Sequence, residues 1–316
     1  MPTMQHTFPF DPTYGYDEAA LRAIQSPPHP EDFAAYWQAT YAEAMETPLN
    51  IQQRPLVSPH TDYDLFEIEF DSLHKIRIGG WLAVPRGKFT HGMVVGHGYG
   101  GRDGPGLPLP GAPAAAIFPC ARGFNRSARP DLPDQSPQHV LHGIDSRDTY
   151  IHRGCAADIW AAASALLQLF PKVAENLFYN GGSFGGGIGA LALPWDPRFS
   201  RAFLDVPSFG NHPLRVTLPC VGSGEAVRLL HERKPEILNV LRYFDSASAA
   251  RFIRIPTLVG CALFDPAVPP PGQFSVYNNL AGPKSLFIHP ANHFGYPESA
   301  EVTAQLYRRL REWFQA

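Results

Sequence analysis

The chain has 316 residues, and its 26 Lys and Arg residues against 29 Asp and Glu residues give a formal net charge of −3. A slightly acidic chain lacks the positive surplus that a phosphate backbone attracts, so we exclude nucleic acid as a partner. Apolar residues make up 44% of the chain and charged residues only 17%, which excludes global disorder and predicts a large buried core.

Membrane and export signals are absent from the sequence pattern. No window approaches the roughly 18 consecutive apolar residues of a membrane span, and the first residues have neither the basic nor the apolar region of a signal peptide. We therefore expect no membrane partner and no export by a signal peptide. The four cysteines form no C-x-x-C pair, which predicts reduced, mostly buried thiols and no zinc site: Cys120, Cys155, Cys220 and Cys261.

The first 60 residues predict an N-terminal extension that is rich in proline and then helical. Phe33, Trp37, Tyr41 and Met45 recur at every fourth position, which predicts a packing helix. From Tyr63 apolar residues recur at every second position, which predicts that the sheet begins with antiparallel strands. Its strands are expected at Leu65–Phe70, Lys75–Ile78 and Trp81–Val84.

The rest of the chain alternates short apolar runs with helix-length segments. The runs are typical of buried parallel strands: Met93–Gly96, Ala114–Phe118, Leu177–Tyr179, Ala202–Val206, Thr257–Ala262 and Ser285–Ile288. The segments are Thr149–Leu169, Phe184–Leu193, Pro271–Leu280 and Ala300–Phe314. This pattern predicts an α/β fold over residues 1–316 as one domain, with a mostly parallel sheet and helices on both faces. Residues 211–245 predict a small, cap-like helical insertion near the site.

A nucleophile motif is the strongest chemical signal. The run Gly181-Gly182-Ser183-Phe184-Gly185 lies directly between a predicted strand and a predicted helix. A nucleophile elbow forces its serine into a strained turn, so the residues two before and two after it need to lack a Cβ. We therefore predict Ser183 as the nucleophile; the alternative is a turn serine that caps a helix.

A serine hydroxyl needs a base, and the base needs a carboxylate to orient it. In the α/β-hydrolase arrangement, the acid and the histidine follow the serine on loops after later strands. Asp265 and His293 occupy those positions. His289 is the rival to His293, and His97 is a weaker alternative base. An Asp265 that serves only as a turn residue before proline also stays open.

Two N–H donors are required to stabilise the oxyanion of the tetrahedral intermediate. We assign one to the backbone amide of Phe184, directly after the nucleophile. The other is assigned to the amide of Tyr99, in the glycine-rich loop that follows the strand at Met93–Gly96.

Several collinear strings resemble the seventh family of carbohydrate esterases, the acetyl xylan esterase and cephalosporin-C deacetylase group. The resemblance extends from about Glu31 to the end of the chain. It rests on GHGYGGRDG at 96–104, Ala121-Arg122-Gly123, the helix from Asp148 to Asp158, GGSFGGG at the elbow, DPAVPP at 265–270, YNNLAGPKSLFIHP at 277–290, and Asn292-His293.

This resemblance implies an α/β-hydrolase fold and a cytoplasmic, metal-independent esterase without cofactors that removes acetyl groups from sugar oligomers and small molecules. It also implies Ser183, Asp265 and His293 as the triad, with the Tyr99 and Phe184 amides as the oxyanion hole. A ring-like hexamer is implied as well, although the segment from Arg122 to Tyr150 is shorter than the family's loop that builds the hexamer contacts.

Three aromatic residues depart from the family pattern close to the chemistry. Phe124, Phe184 and Phe294 stand where the family carries Gln, Gln and Glu. We hypothesise that they line or border a drier substrate pocket, which would change the accepted acyl or alcohol parts. Other readings stay open: a thioesterase, a peptidase or another carboxylesterase fits the same triad, and a catalytically silent scaffold is the non-enzyme alternative.

Overall fold

The computed structural model describes residues 4–315 and arranges their strands in one nine-stranded sheet. The strands are β1 (Gln52–Leu56), β2 (Tyr63–Ser72), β3 (Ile76–Pro85), β4 (His91–Val95), β5 (Ala114–Pro119), β6 (Leu177–Gly182), β7 (Phe199–Asp205), β8 (Thr257–Ala262) and β9 (Lys284–His289). Their order is β1-β2-β3-β5-β4-β6-β7-β8-β9. The pairs β1-β2, β2-β3 and β3-β5 are antiparallel, and the remaining neighbours are parallel.

Helices cover both faces of this sheet. They are α1 (Glu18–Ala23), α2 (Phe33–Met45), α3 (Ser136–His139), α4 (Ile151–Leu169), α5 (Phe184–Ala192), α6 (His212–Arg215), α7 (Ser223–Arg233), α8 (Leu238–Leu241), α9 (Ser246–Ala250), α10 (Pro270–Asn279) and α11 (Ser299–Trp313). The larger core includes buried residues of α4, α5 and α9, and a smaller core joins α11 to Phe178, Phe203 and Leu258. The predicted α/β architecture is therefore confirmed.

The predicted parallel strands are confirmed with small shifts at their ends. Gly and Pro residues bound each run, so its ends were visible in the sequence. Two predicted runs, at Lys75–Ile78 and Trp81–Val84, prove to be the single strand β3, which continues through Gly79 and Gly80. A Cβ at Gly80 would lie only 2.3 Å from the carbonyl oxygen of Phe118, so glycine is needed where β3 approaches β5.

Two elements near the N-terminus were not predicted. Strand β1 contains Pro55, which argues against a central strand but is tolerated here because β1 lies at the edge of the sheet. Helix α1 is only six residues long and is capped by the Asp17 side chain, which accepts a hydrogen bond from the amide of Ala20. Such a short helix leaves too few apolar repeats for a periodicity signal.

The buried face of helix α2 differs from the predicted stripe of apolar residues. Phe33 and Trp37 are fully buried as expected, but Met45 is 36% exposed. A helix has 3.6 residues per turn, so a strict spacing of four drifts by about 40° at each step and turns away from the core. The buried face instead continues through Thr40 and Ala44.

The connection between β4 and β5 has an unusual form. Parallel neighbours are usually joined by a crossover helix, yet the described residues from Gly96 to Pro113 contain no helix. This segment carries Pro105, Pro108 and Pro110, which disfavour a continuous helix. The crossover from β4 to β5 is therefore a loop.

The predicted insertion at 211–245 contains α6, α7 and α8 and no strand, as expected. It follows β7 and lies against the loop after β8, because the amide of Val221 donates a hydrogen bond of 2.8 Å to the carbonyl of Pro266. Within residues 4–315, no helix combines the length and hydrophobicity that a membrane crossing requires.

Candidate active site

Ser183 lies at a strained turn between β6 and α5. Its φ of +53° and ψ of −113° fall in a region that side chains rarely adopt. A Cβ at Gly181 would lie 2.7 Å from the carbonyl oxygen of Gly185, and a Cβ at Gly185 would lie 2.9 Å from the carbonyl oxygen of His97. The glycines of the motif are therefore required by close backbone contact, and the turn presents the Ser183 hydroxyl above the edge of the sheet.

Ser183, His293 and Asp265 are joined by hydrogen bonds. The Nε2 atom of His293 lies 3.1 Å from Oγ of Ser183, and its Nδ1 atom lies 2.8 Å from Oδ2 of Asp265. A carboxylate accepts only, so Nδ1 is the donor and the neutral ring keeps Nε2 as an acceptor for the serine proton. This is the arrangement that a general base needs.

The Asp265 side chain is fully buried and held by other donors as well. Its Oδ1 accepts from the amides of Ala267 and Val268, each at 2.9 Å, and its Oδ2 accepts from Nε2 of Gln273 at 3.0 Å. Burial raises the pKa of the Asp265 carboxyl, and His293 together with the amides of Val268 and Ala267 opposes that rise. Gln273 was not predicted, because no motif marks a glutamine in the helix after the acid loop.

The pKa of His293 results from opposing influences. Burial lowers it, but the hydrogen bond to Asp265 and the charges of Asp265 and Asp205 outweigh burial and raise the pKa above its usual value. The side chain remains 28% exposed. The imidazole of His293 is therefore accessible, and Asp265 stabilises its protonated form.

The two amides predicted to hold an oxyanion belong to Phe184, directly after the serine, and to Tyr99, directly after Gly98. Phe184 begins α5, so its N–H has no partner within the helix. The loop that carries Tyr99 packs on the elbow, since a Cβ at Gly98 would lie 4.0 Å from Cβ of Ser183. The role of both amides as oxyanion donors stays a prediction.

An aromatic cluster lies beneath this loop and contains two of the three predicted pocket residues. The ring of Phe184 stacks on Tyr99 with centroids 4.2 Å apart, and Phe124 packs on His139 at 4.7 Å. Phe124 is only 3% exposed and Phe184 only 2%. Both rings are buried and pack against Tyr99, so a direct contact of either ring with substrate remains a prediction.

Buried histidines complete the aromatic cluster. The hydroxyl of Tyr99 lies 3.2 Å from Nδ1 of His139 and 3.0 Å from Nε2 of His152. His97, weighed as an alternative base, directs its nitrogens to the backbone: Nδ1 lies 2.6 Å from the carbonyl of Gly98, and Nε2 accepts from the amide of Ala121. Burial lowers the pKa of both His97 and His139 to about 4. His97 is thus engaged away from Ser183.

The rival histidine His289 belongs to a second pair. Its Nε2 lies 2.7 Å from Oδ1 of Asp205, at the end of β7. A Cβ at Gly260 would lie 2.0 Å from the same oxygen, so glycine is needed between the two strands. The structure therefore brings His293, and not His289, to Ser183.

The N-terminal segment reaches the site, which the sequence did not indicate. The carbonyl of Pro12 accepts a hydrogen bond of 3.2 Å from the amide of Asp265. The third predicted pocket residue, Phe294, packs between Phe8 at 6.0 Å and Phe264 at 5.1 Å. Pro12 and Phe8 of the N-terminal segment thus contact the loops that carry Asp265 and His293.

The four cysteines are unpaired and buried, as expected. Among residues 4–315, no group of three or more His, Cys, Asp or Glu side chains is placed to hold a metal ion.

Comparison with known proteins identifies the family. The sequence profile of the family Acetyl xylan esterase (AXE1) matches residues 21–309. The acetyl esterase Axe7A of Xylanibacter ruminicola is 24% identical over 297 residues, which cover 88% of this chain; the chain spans 66% of the length of that relative.

Solved structures share the fold. An acetyl xylan esterase from Paenibacillus sp. R4 superposes with a TM-score of 0.80 at 23% identity, covering 93% of this chain and all of that one. Acetyl xylan esterase 1 from Thermoanaerobacterium sp. JW/SL YS485 gives 0.78 at 19% identity, covering 95% and 99%. An acylaminoacyl peptidase from Pyrococcus horikoshii gives 0.61 at 15% identity, covering 81% and 42%. The chain belongs to the acetyl xylan esterase family and has an α/β-hydrolase fold.

Proposed function

We propose that this protein hydrolyses acetyl esters of sugars and other small molecules, with Ser183 as nucleophile, His293 as base and Asp265 as its orienting acid. The observation that carries the proposal is the hydrogen-bonded path from Oγ of Ser183 through both nitrogens of His293 to Asp265. The acetyl xylan esterase family membership supports the acetyl group as the acyl part.

In the first half of the reaction, Oγ of Ser183 forms a bond to the ester carbonyl carbon while its proton moves to Nε2 of His293. The negative oxygen of the intermediate accepts hydrogen bonds from the amides of Tyr99 and Phe184. The bond from carbon to the alcohol oxygen then breaks, and the same proton passes from His293 to the leaving alcohol. Asp265 stabilises the imidazolium in between.

In the second half, water attacks the acetyl-Ser183 ester and gives its proton to His293. The tetrahedral intermediate collapses, and His293 returns the proton to Oγ of Ser183. The products are acetate and a free enzyme, so one water is consumed for each ester and no cofactor takes part.

Several finer points belong to the same proposal. We extend it to small acetylated substrates such as cephalosporin C, since the 28% exposure of the His293 side chain leaves the base accessible. Four unpaired cysteines support the cytoplasmic location. The hexamer implied by the resemblance and the treatment of residues 1–316 as one domain stay predictions.

The test is the hydrolysis of acetylated xylobiose and of an aryl acetate by Ser183→Ala. Because the triad acts as a unit, we expect turnover to fall by about 10⁶-fold. Ser58→Ala is the matched control, since its hydroxyl contacts only the local backbone of His60 and should leave turnover unchanged. A Ser183→Ala protein with near-normal activity would refute the assignment.

A further inference from the structure

A cavity of about 410 Å³ lies beside His293 on the face of the sheet that α11 covers. Its walls come from the looped β4–β5 crossover, the ends of β6, β7 and β9, and one stripe of α11. We call this cavity the side chamber. Small-molecule sites commonly have volumes of about 300–1,000 Å³, so its size suits a ligand.

The side chamber exists because of the crossover without a helix. The loop contributes Pro108, Leu109 and Pro110 to the wall, and α11 faces them across the opening. A crossover helix would normally pack on this face of a parallel sheet. Its replacement by a proline-rich loop leaves the space open next to the proposed base.

The floor of the side chamber carries the second His–Asp pair. Asp205 and His289 both line it, and the Asp205 side chain is 22% exposed although the His289 side chain is only 6% exposed. The Asp205 carboxylate is held by His289 at 2.7 Å and stays accessible from the chamber. A fixed, accessible carboxylate is a strong acceptor for the hydroxyls of a neutral ligand.

The remaining walls combine neutral polar groups with aromatic rings. Asn180 and Asn292 contribute amides, and Ser299 and Thr303 contribute hydroxyls from α11. Phe294 supplies an aromatic ring at the edge nearest His293. No Lys or Arg is among the described residues of this lining, so together with Asp205 it disfavours anions.

This set of groups fits a polyhydroxylated, neutral ligand. Amides and carboxylates bind pairs of hydroxyls, and an aromatic ring packs on the apolar C–H face of a sugar ring. His293 lies at the boundary of the chamber, where the leaving alcohol oxygen receives its proton. The alcohol part of the ester is therefore the part of the substrate that can reach this space.

We propose that the side chamber binds the sugar part of the ester, the leaving alcohol, during catalysis. The proposal rests on the esterase function proposed above and adds the location of its alcohol subsite. The aromatic cluster around Tyr99 and Phe184 is closely packed, whereas the chamber of about 410 Å³ has room for a bulky alcohol.

The test uses substitutions on α11 that reduce the volume of the chamber, and it compares two esters that share the same acetyl group. Thr303→Phe places a ring on the chamber wall, and Gln305→Phe places the same ring two positions along, about 200° around the helix. The measured quantity is kcat/KM for acetylated xylobiose divided by kcat/KM for ethyl acetate. Both esters form the same acetyl-Ser183, so the ratio reports the alcohol part alone.

We expect Thr303→Phe to lower this ratio about tenfold or more, and Gln305→Phe to leave it within about twofold of the wild type. Ser299→Leu, a smaller change on the same wall, provides a second variant if Thr303→Phe does not fold. If the ratio is unchanged in folded Thr303→Phe or Ser299→Leu, the chamber assignment is wrong. The esterase function is tested separately and is upheld when the wild type hydrolyses ethyl acetate. A wild type that hydrolyses neither ester overturns both.

Discussion

Two His–Asp pairs lie side by side at the edge of the sheet, and their lengths are nearly the same. His293 is 2.8 Å from Asp265, and His289 is 2.7 Å from Asp205. Only His293 has its second nitrogen within reach of a serine hydroxyl, at 3.1 Å from Ser183. A histidine and a carboxylate in contact thus do not define a catalytic base; its position relative to the nucleophile elbow does.

The first way to break this comparison is to remove each imidazole in turn. We expect His293→Ala to lower kcat for acetyl esters by about 10⁶-fold, because the proposed base and the nucleophile act as one unit. His289→Ala should cause a far smaller loss, since His289 touches Asp205 and not Ser183. Steady-state kinetics on an aryl acetate measures both, and equal losses in the two variants would contradict the assignment.

The second way is to neutralise each carboxylate. Asp265→Asn should lower kcat by about 10⁴-fold, because an amide donating to Nδ1 favours the wrong tautomer of His293. Asp205→Asn is the matched control, with the same change at the other pair. With ethyl acetate, whose small alcohol does not need the side chamber, we expect a far smaller loss of kcat. A larger effect from Asp205→Asn would mean that the two pairs have exchanged roles.

The third way uses pH. His293 must be neutral to accept the serine proton, so kcat/KM rises with pH as His293 loses its own proton. Burial lowers the pKa of His293, but Asp265 and Asp205 raise it above 6.5 on balance, so the midpoint of the rise lies above pH 6.5 in the wild type. Asp265→Asn should shift this midpoint to lower pH, and Asp205→Asn should shift it less. A midpoint that does not move in Asp265→Asn would contradict the pairing.

The buried histidines of the aromatic cluster contrast with His293. Burial lowers the pKa of His97 and His139 to about 4 in the folded protein, whereas unfolded histidine titrates near 6.5. Below pH 6.5 the unfolded chain therefore binds protons that the folded chain does not. Stability is complete above pH 6.5 and is lost towards pH 4, by about 1.4 kcal/mol per pH unit for each of these histidines.

Denaturant unfolding of the wild type and of His139→Gln at several pH values within this window measures that effect. The variant should lose less stability per pH unit than the wild type, because one of the depressed pKa values is gone. Equal slopes for both proteins would show that His139 is not held neutral by burial.

The smallest expected effect concerns Phe184. Phe184→Gln buries an amide where the ring is 2% exposed, so we expect a loss of about 1–3 kcal/mol in unfolding free energy, more than for the apolar change Phe184→Leu.

The Phe184→Gln variant also tests whether the aromatic replacements alter substrate choice. The rate for a longer acyl ester divided by the rate for the acetyl ester is measured in Phe184→Gln and in the wild type. If this ratio is the same in both proteins, the hypothesis of a drier pocket is wrong.

The sequence predicted the fold well where local patterns carry the information. Strands β4 to β9 are short apolar runs bounded by Gly and Pro, and parallel strands present their carboxyl ends at one edge. For that reason, residues placed after β6, β8 and β9 were expected to meet, and Ser183, Asp265 and His293 lie within hydrogen-bond distance.

Other features depend on contacts between distant segments, which no local pattern reveals. Gln273 supports Asp265 across a turn of the chain, and Pro12 reaches the same acid from the N-terminal segment. The prolines between β4 and β5 were visible, but the chamber that they leave open depends on the packing of α11. Strand β1 was missed because Pro55 is tolerated only at a sheet edge.

The most direct measurement of the central claim is mass spectrometry of the protein after reaction with an organophosphate. We expect one covalent label on the peptide that contains Ser183 in the wild type and in His289→Ala, and strongly slowed labelling in His293→Ala. A label on a different residue, or undiminished labelling of Ser183 without His293, would contradict it.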